Sequence, residues 1–171
     1  MKYNINGKFK IMQLADIQEI PNVSVDTVKL IDRALEEEKP DLVVLTGDQI
    51  KGYGMSYGKK SGNKKQEVFD VLSKILEPVT KREIPYAVTF GNHDRQVGIS
   101  NKEQFCDIYK KIGNCIGEQA EGIDGGGTYN IPIYSSNGTR VVNNIYLFDS
   151  GTDAKGGGYE PFDTKIIEWY K

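Results

Sequence analysis

Histidine and cysteine are scarce in this sequence of 171 residues. It contains one histidine, His93, and two cysteines, Cys106 and Cys115. The chain can therefore supply only one imidazole ligand to a metal. Because the cysteines lie on and just after a predicted helix, a disulfide would require the chain to fold back there, and we expect two reduced thiols.

The sequence also lacks an excess of charge of either sign and any long apolar run. Lys and Arg total 22 against 24 Asp and Glu, which gives a net charge of −2. This balance provides no general attraction to nucleic acid or to an anionic membrane. No apolar stretch reaches the length of a membrane span, and residues 1–17 lack the pattern of a signal peptide. We therefore expect a cytoplasmic protein that binds neither nucleic acid nor membrane.

Short apolar runs alternate with helical patterns through the first half of the chain. Segments 9–15, 41–46 and 85–90 have strand length, and the second is almost wholly apolar, as in a strand covered on both faces. Between them, apolar residues recur at helical spacing from Ser24 to Pro40 and over 66–81. This order predicts a βαβαβ unit with a parallel sheet.

The pattern changes in the second half of the chain. A third helix is predicted over 102–112, and glycines 125 to 127 then interrupt the chain. Strands are predicted over 128–135 and 141–148, joined by a turn that contains Asn137-Gly138 and is typical of a β-hairpin. Residues 163–171 have the pattern of an opening helix.

Polar residues follow each of the three strands of the βαβαβ unit. They are Asp16-Ile17-Gln18, Gly47-Asp48 and Gly91-Asn92-His93-Asp94. Because the carboxyl ends of parallel strands share one edge of the sheet, these residues are expected to converge. An isolated Asp there would be read as a helix cap or turn residue. Three such clusters favour a site for a hard metal ion, formed by two carboxylates, an amide oxygen and an imidazole.

The segments LADIQ, LTGDQ and FGNHD resemble the calcineurin-like metallophosphoesterases, whose pattern is D-x-H, G-D and G-N-H-[DE] followed by later histidines. NIYLFDSG and IIEWY are similar to the branch related to purple acid phosphatases. The resemblance implies a layered α-β-β-α sandwich, present here as its amino-terminal portion, the βαβαβ unit plus a β-hairpin. We interpret residues 1–171 as a single metallophosphoesterase domain whose carboxyl-terminal part is missing.

The resemblance also implies an activity and roles for individual residues. The family hydrolyses phosphate mono- or diesters with two divalent or trivalent metal ions, for which Mn, Fe or Zn are candidates. Asp16 would ligate the first ion, Asp48 would bridge both, and Asn92 would ligate the second. His93 would contact a substrate phosphate oxygen or protonate the leaving group, and Asp94 would orient its ring.

Three further features leave alternatives open. Gln18 stands where the family has His, and it either ligates weakly through its amide oxygen or does not ligate. Arg95 either contacts the substrate phosphate or is an ordinary surface residue. The glycine-rich loop 51–66 is interpreted as a solvated loop, although a contact of one of its lysines with an anionic substrate stays open; these are Lys59, Lys60, Lys64 and Lys65.

The later histidines of the family pattern are absent from this chain, so half of the expected site is present. This favours, as an alternative, a non-catalytic fragment that binds a metal, a phosphate or a partner. An exposed sheet edge would also permit self-association. A doubly wound nucleotide-binding domain would need a glycine-rich first turn, whereas here the first strand ends at Ala15-Asp16.

Overall fold

A computed structural model describes residues 1–58 and 62–171 of the chain. The first half alternates strands and helices as the sequence predicts. Its elements are β1 (Ile11–Leu14), α1 (Val25–Glu38), β2 (Leu42–Leu45), α2 (Lys64–Thr80) and β3 (Tyr86–Val88).

The three strands form one parallel sheet in the order β1-β2-β3. Leu14 pairs with Leu45, and Leu45 pairs with Val88. The strands therefore end at the same edge, and the turns that follow them are neighbours in space. All four residues of β2 are buried, which agrees with its apolar sequence.

Local sequence signals explain where the first helix begins and ends. The side chain of Ser24 accepts a hydrogen bond from the backbone N–H of Asp26 and caps α1. Ile31 and Leu35 bury the inner face of α1, and the helix ends at Glu38 because the next residue, Lys39, has a left-handed φ of 45°. Pro40, which cannot continue a helix, follows immediately. The other crossover helix, α2, packs beside α1 and buries most of its apolar side chains.

The segment after β3 is more helical than the sequence indicates. A short helix, α3 (Asn92–Gln96), directly follows the third strand. The helix predicted over 102–112 is instead composed of α4 (Asn101–Gln104), a π-helical segment (Phe105–Tyr109) and α5 (Lys110–Ile112). Nothing in the sequence of the π-helical segment explains its wider turn.

The predicted hairpin is confirmed as β4 (Tyr129–Tyr134) and β5 (Val141–Leu147), which pair antiparallel. Tyr129, Ile131 and Ile133 alternate toward the interior and join the core formed by the parallel sheet and its helices. The chain ends in α6 (Thr164–Tyr170), which is capped by the Asp163 side chain. The architecture is thus mixed α/β, with a parallel sheet, helices and a separate hairpin.

A buried tyrosine connects the two sheets. The hydroxyl of Tyr129 accepts a hydrogen bond from the backbone N–H of Val88 at 2.8 Å and donates one to the Val88 carbonyl at 2.9 Å. Burial raises the pKa of Tyr129 well above its ordinary value, so the hydroxyl keeps the proton that it donates. The β4 strand is therefore bound to the outer edge of β3 by a side chain.

Other expectations from the sequence have mixed outcomes. Both cysteines are free thiols, as expected.

Lys64 and Lys65 belong to the first turn of α2 rather than to a loop, and Lys65 Nζ lies 2.6 Å from an oxygen of Asp107. Lys65 is therefore engaged within the protein, while Lys59 and Lys60 lie outside the described residues. No helix in the described part of the chain is long and apolar enough to cross a membrane.

Truncation of Leu45 tests the role of β2 as the centre of the core. Its side chain is 0% exposed, so Leu45→Ala is expected to reduce the free energy of unfolding by about 2–5 kcal/mol. Leu30, on α1, is 70% exposed, so Leu30→Ala is the matched control and should change stability by less than about 0.5 kcal/mol. Urea unfolding of both variants measures the difference, and equal losses would contradict the assignment of the core.

Candidate metal and phosphate site

Hydrogen bonds from backbone N–H groups join the three turns at the carboxyl edge of the parallel sheet. The N–H of Asp16 donates to the Gly47 carbonyl at 3.1 Å, and the N–H of Gln18 donates to the Asp48 carbonyl at 2.9 Å. The N–H of His93 donates to Asp48 Oδ1, also at 2.9 Å. The turn after β2 is therefore the central one and contacts both of the others.

Two glycines allow the turns after β2 and β3 to touch. Gly47 has a φ of 108°, and a Cβ at this position would lie 2.3 Å from the backbone nitrogen of Gly91. A Cβ on Gly91 would in turn lie 2.2 Å from Asp48 Oδ1. A side chain at either position would overlap the neighbouring turn. The two turns can therefore approach this closely only because both positions are glycine.

The carboxylate of Asp94 lies beneath these turns and is 0% exposed. Its Oδ2 accepts the N–H groups of Asp48 at 2.7 Å and Gly91 at 2.9 Å, and its Oδ1 accepts those of Gln49 at 2.9 Å and Ile50 at 3.3 Å. Burial raises the pKa of Asp94 to about 6, and the backbone N–H donors oppose that rise. The carboxylate of Asp94 therefore holds the backbone of both turns, and the expectation that it also orients the ring of His93 stays a prediction.

Three residues of the predicted site have a strained backbone. Asp16, Gln18 and Asp48 have φ values of 53°, 50° and 54°, in the left-handed region that non-glycine residues seldom occupy. Such strain costs of order 1–3 kcal/mol at each position and concentrates at functional sites. Five other non-glycine residues in the described part of the chain, among them Lys39 after α1, also have a positive φ, so this conformation alone does not mark the edge as functional.

The ring of His93 lies among three side chains and is 26% exposed. Its Nδ1 is 2.8 Å from Gln96 Oε1, and its Nε2 is 3.9 Å from Asp48 Oδ2. The ring of Tyr53 packs against it with a centroid separation of 4.5 Å. His93 and Asp48 are therefore adjacent, as the sequence predicts.

The connection between β5 and α6 reaches back to the turn after β3. Asp153, in this connection, accepts hydrogen bonds from Asn92 Nδ2 at 3.3 Å and from Gln96 Nε2 at 2.6 Å. A cavity of about 320 Å³ lies between the two segments and is lined by Gly91, Asn92 and residues 150–152, among others. Asn92 thus lines an open space large enough to admit a small anion.

The remaining predicted site residues, Gln18 and Arg95, have neighbours of their own. Gln18 Oε1 accepts a hydrogen bond from the Tyr53 hydroxyl at 3.2 Å, so its amide oxygen is partly engaged. Arg95 is exposed, and its Nη1 lies 4.0 Å from Glu160, which also lines the cavity beside Asn92. The roles proposed for both residues remain predictions.

The donor chemistry determines which ion this edge could hold. Within residues 1–58 and 62–171, no group of three His, Cys, Asp or Glu side chains is placed to hold a metal ion. The set predicted from the sequence includes His93, which does not form such a group with Asp16 and Asp48, so the amide oxygen of Asn92 would have to complete the set. Asn92 turns its nitrogen toward Asp153, which leaves its oxygen as the atom able to ligate. These oxygen donors fit a hard cation, with fewer ligands than a closed site would have.

Sequence reasoning missed three residues around His93, namely Tyr53, Gln96 and Asp153. Gln96 could have been found, because it lies three residues after His93 and residues at that spacing share one face of a helix. That inference requires α3, which was not predicted. Tyr53 and Asp153 lie in loops far from His93 along the chain, and neither has a local sequence signal.

Known proteins match most of the length of this chain. A family model described as calcineurin-like phosphoesterase matches residues 9–170. The chain is 28% identical to a protein of Arabidopsis thaliana named probable inactive purple acid phosphatase 29, over 88% of this chain and 42% of that protein. It is 26% identical to probable inactive purple acid phosphatase 14 of the same plant, over 100% of this chain and 48% of the relative.

A yeast relative has a name without the word inactive. The chain is 34% identical to phosphatase DCR2 of Saccharomyces cerevisiae, over 84% of this chain and 27% of that protein. The chain therefore spans less than half the length of each of these three relatives. No solved structure gives a significant match.

Substitution of Gly47 tests the close approach of the two turns. Gly47→Ala adds a methyl group against the backbone of Gly91, whereas Gly54→Ala, at a φ of 69°, meets nothing within 4 Å. Both variants carry the left-handed penalty of roughly 1 kcal/mol. Beyond this shared penalty, only Gly47→Ala is expected to lower the free energy of unfolding by a further amount of about 2 kcal/mol or more. Thermal and urea unfolding compare the pair, and equal losses would contradict the steric explanation.

Substitution of Asp94 tests its role as the acceptor that joins the turns. An amide in its place turns an N–H₂ group toward backbone N–H donors, so Asp94→Asn is expected to cost about 3 kcal/mol or more. Asp124 is 95% exposed, and Asp124→Asn should stay within about 0.5 kcal/mol of the parent. Chemical unfolding measures both, and a stable Asp94→Asn variant would show that the four donors do not depend on the carboxylate.

Proposed function

We propose that this chain, which belongs to the calcineurin-like phosphoesterase family, contributes a metal-dependent active site that hydrolyses phosphate mono- or diesters. Members of the family are generally metal-dependent phosphoesterases. The proposal for this chain is more specific, because it assigns a site with two metal ions to the turns after β1, β2 and β3.

One observation supports this proposal above the others. The turns that carry Asp16, Asp48 and Asn92-His93 are bonded to one another at a single edge of the sheet, with Asp48 between the other two. Two of these positions also carry backbone strain.

The residues have separate tasks in the proposed reaction. Asp16, Asp48 and Asn92 would hold the metal ions through oxygen atoms, with Asp48 shared between them. Bound there, divalent or trivalent ions, with Mn, Fe and Zn as candidates, supply Lewis-acid polarisation and charge neutralisation of the phosphate ester. His93, beside Asp48, would transfer a proton to the leaving oxygen or donate to a phosphate oxygen.

The cavity and the charged side chain next to the proposed site indicate which class of substrate it could take. The cavity beside Asn92 has room for a phosphate group and a small leaving group. Arg95 lies at its margin and can offer a charged, bidentate contact to the phosphate. We therefore propose a small phosphate ester as the substrate, without a choice between monoester and diester.

Metal titration followed by an assay of hydrolysis tests this function. Calorimetric titration with Mn²⁺ should show binding, and the Mn²⁺-loaded protein should hydrolyse an aryl phosphate. Asp48→Ala should weaken metal binding by more than about 100-fold, since even the partners of metal ligands account for 10–100-fold. His93→Ala should preserve metal binding and slow hydrolysis by about 10²–10⁴-fold.

The matched control is Asp124→Ala, which removes an exposed carboxylate on the surface. It should bind Mn²⁺ and hydrolyse the ester as the parent does. Unchanged activity in Asp48→Ala and His93→Ala would overturn the assigned roles. Loss of activity in all three variants would point to a general effect on folding.

A second candidate function is that of a non-catalytic module that binds one metal ion, a phosphate or a partner. The engagement of Gln18 by Tyr53 favours it, because the position that holds His in the family pattern is then withdrawn from the metal. The names of the two plant relatives, which include the word inactive, favour it as well. Binding of a single Mn²⁺ without hydrolysis, in the same titration, would support the module over the enzyme.

Self-association also belongs to this second candidate. In the described part of the chain, no strand pairs with the outer side of β1 or of β5. Several apolar side chains on β5 are exposed, including Val141 and Val142. Sedimentation over a range of protein concentrations distinguishes an associating module from a stable monomer.

A further inference from the structure

We propose that Gln96 and Asp153 are positioning residues that hold the neutral ring of His93 as its Nδ1–H tautomer, so that Nε2 is the nitrogen that accepts and delivers the proton. The role of that proton in hydrolysis rests on the function proposed above, whereas the tautomer itself does not. Neither residue belongs to the motifs that identify the family.

The first step of the argument concerns Asp153. A carboxylate accepts hydrogen bonds and does not donate them. Its two oxygens face the side-chain amides of Gln96, at 2.6 Å, and Asn92, at 3.3 Å. Both amides must therefore turn their N–H₂ groups toward Asp153, which fixes the direction of each amide.

The second step concerns Gln96. Because its nitrogen faces Asp153, its oxygen faces the ring of His93, and Oε1 lies 2.8 Å from Nδ1. An amide oxygen can only accept a hydrogen bond, so Nδ1 must carry the proton. In the neutral ring the other nitrogen, Nε2, then has the free lone pair.

A competing contact does not reverse this assignment. Asn92 Nδ2 lies 3.4 Å from His93 Nδ1 and could donate to it only if that nitrogen carried no proton. In that case the lone pair of Nδ1 would face the oxygen of Gln96 at 2.8 Å, where two acceptors would repel each other. The shorter contact therefore determines the tautomer, and Asn92 donates to Asp153 instead.

The geometry gives this tautomer a consequence at the proposed site. Nε2 lies 3.9 Å from Asp48 Oδ2, which is beyond hydrogen-bond distance, so this carboxylate does not hold a proton on Nε2. Asp153 also fixes the Asn92 amide so that its oxygen is free. The carboxylate of Asp153, in the β5–α6 connection, thus determines which ring nitrogen of His93 carries the proton. It also determines the orientation of the Asn92 amide, whose oxygen stays free.

The single histidine allows a direct measurement of the tautomer. Untagged protein labelled with ¹⁵N-histidine gives one set of ring signals in a long-range ¹H–¹⁵N correlation spectrum. The spectrum is recorded without metal or substrate at about pH 8, above the ordinary imidazole pKa of roughly 6.5. We expect Nδ1 at the position of a protonated nitrogen and Nε2 at that of an unprotonated one.

Two substitutions then test the positioning residues. Gln96→Met removes the acceptor and Asp153→Ala frees the Gln96 amide to rotate, so each should shift the ring toward the Nε2–H form that free histidine favours. The double variant Gln96→Glu with Asp153→Asn rebuilds the same pattern, since the carboxylate introduced at position 96 would accept from both Nδ1–H and the new amide. It should restore the Nδ1–H tautomer. Glu121→Ala, which removes an exposed carboxylate elsewhere, should leave the spectrum unchanged.

The results of these spectra distinguish a failure of the proposed tautomer from a failure of the proposed function. An Nε2–H ring in the unaltered protein overturns the proposal, even if every variant fails to fold. A ring that stays Nδ1–H in folded Gln96→Met would remove Gln96 from its role. An Nδ1–H ring in a protein that neither binds Mn²⁺ nor hydrolyses the ester would support the positioning and reject the phosphoesterase.

Discussion

Four backbone N–H groups from two strand ends converge on the carboxylate of Asp94. Without this acceptor, the turns after β2 and β3 would bury donors that have no partner, at a cost of about 1–3 kcal/mol for each. The same contacts bring the turns close enough for the N–H of His93 to reach the carboxylate of Asp48. The predicted ligand Asp48 and the predicted proton donor His93 are adjacent because Asp94 holds the backbone beneath them.

Much of the fold follows from the sequence, because its local signals agree with its long-range pattern. A wholly apolar run fits a central strand, and β2 is indeed buried at every position. Ser24 and Pro40 bound α1 for reasons of hydrogen bonding and ring geometry that operate within a few residues. The meeting of the three turns at one edge, where we propose the site, follows from topology alone, since parallel strands with matched registers must end together.

The details of the site depend on geometry that the sequence does not contain. The family resemblance implies that Asp94 orients the ring of His93, whereas adjacent residues on a helix point about 100° apart. The carboxylate of Asp94 is therefore turned beneath the turns, while Gln96, three positions after His93, shares its face. Asp153 is 61 residues from Asn92, and only the path of the chain after β5 brings them together.

The hydroxyl of Tyr129 has a consequence for how the parallel sheet could grow. Together with residues 114–116, which bond to Tyr86, it occupies the outward backbone groups of β3 that another strand would need. The Tyr129 side chain satisfies backbone groups on this side of the sheet as a neighbouring strand would. Unlike a strand, it presents no backbone N–H and C=O groups with which a further strand could pair. Extension of the parallel sheet by a further strand is therefore restricted to the side of β1, so the sheet can add strands in one direction only.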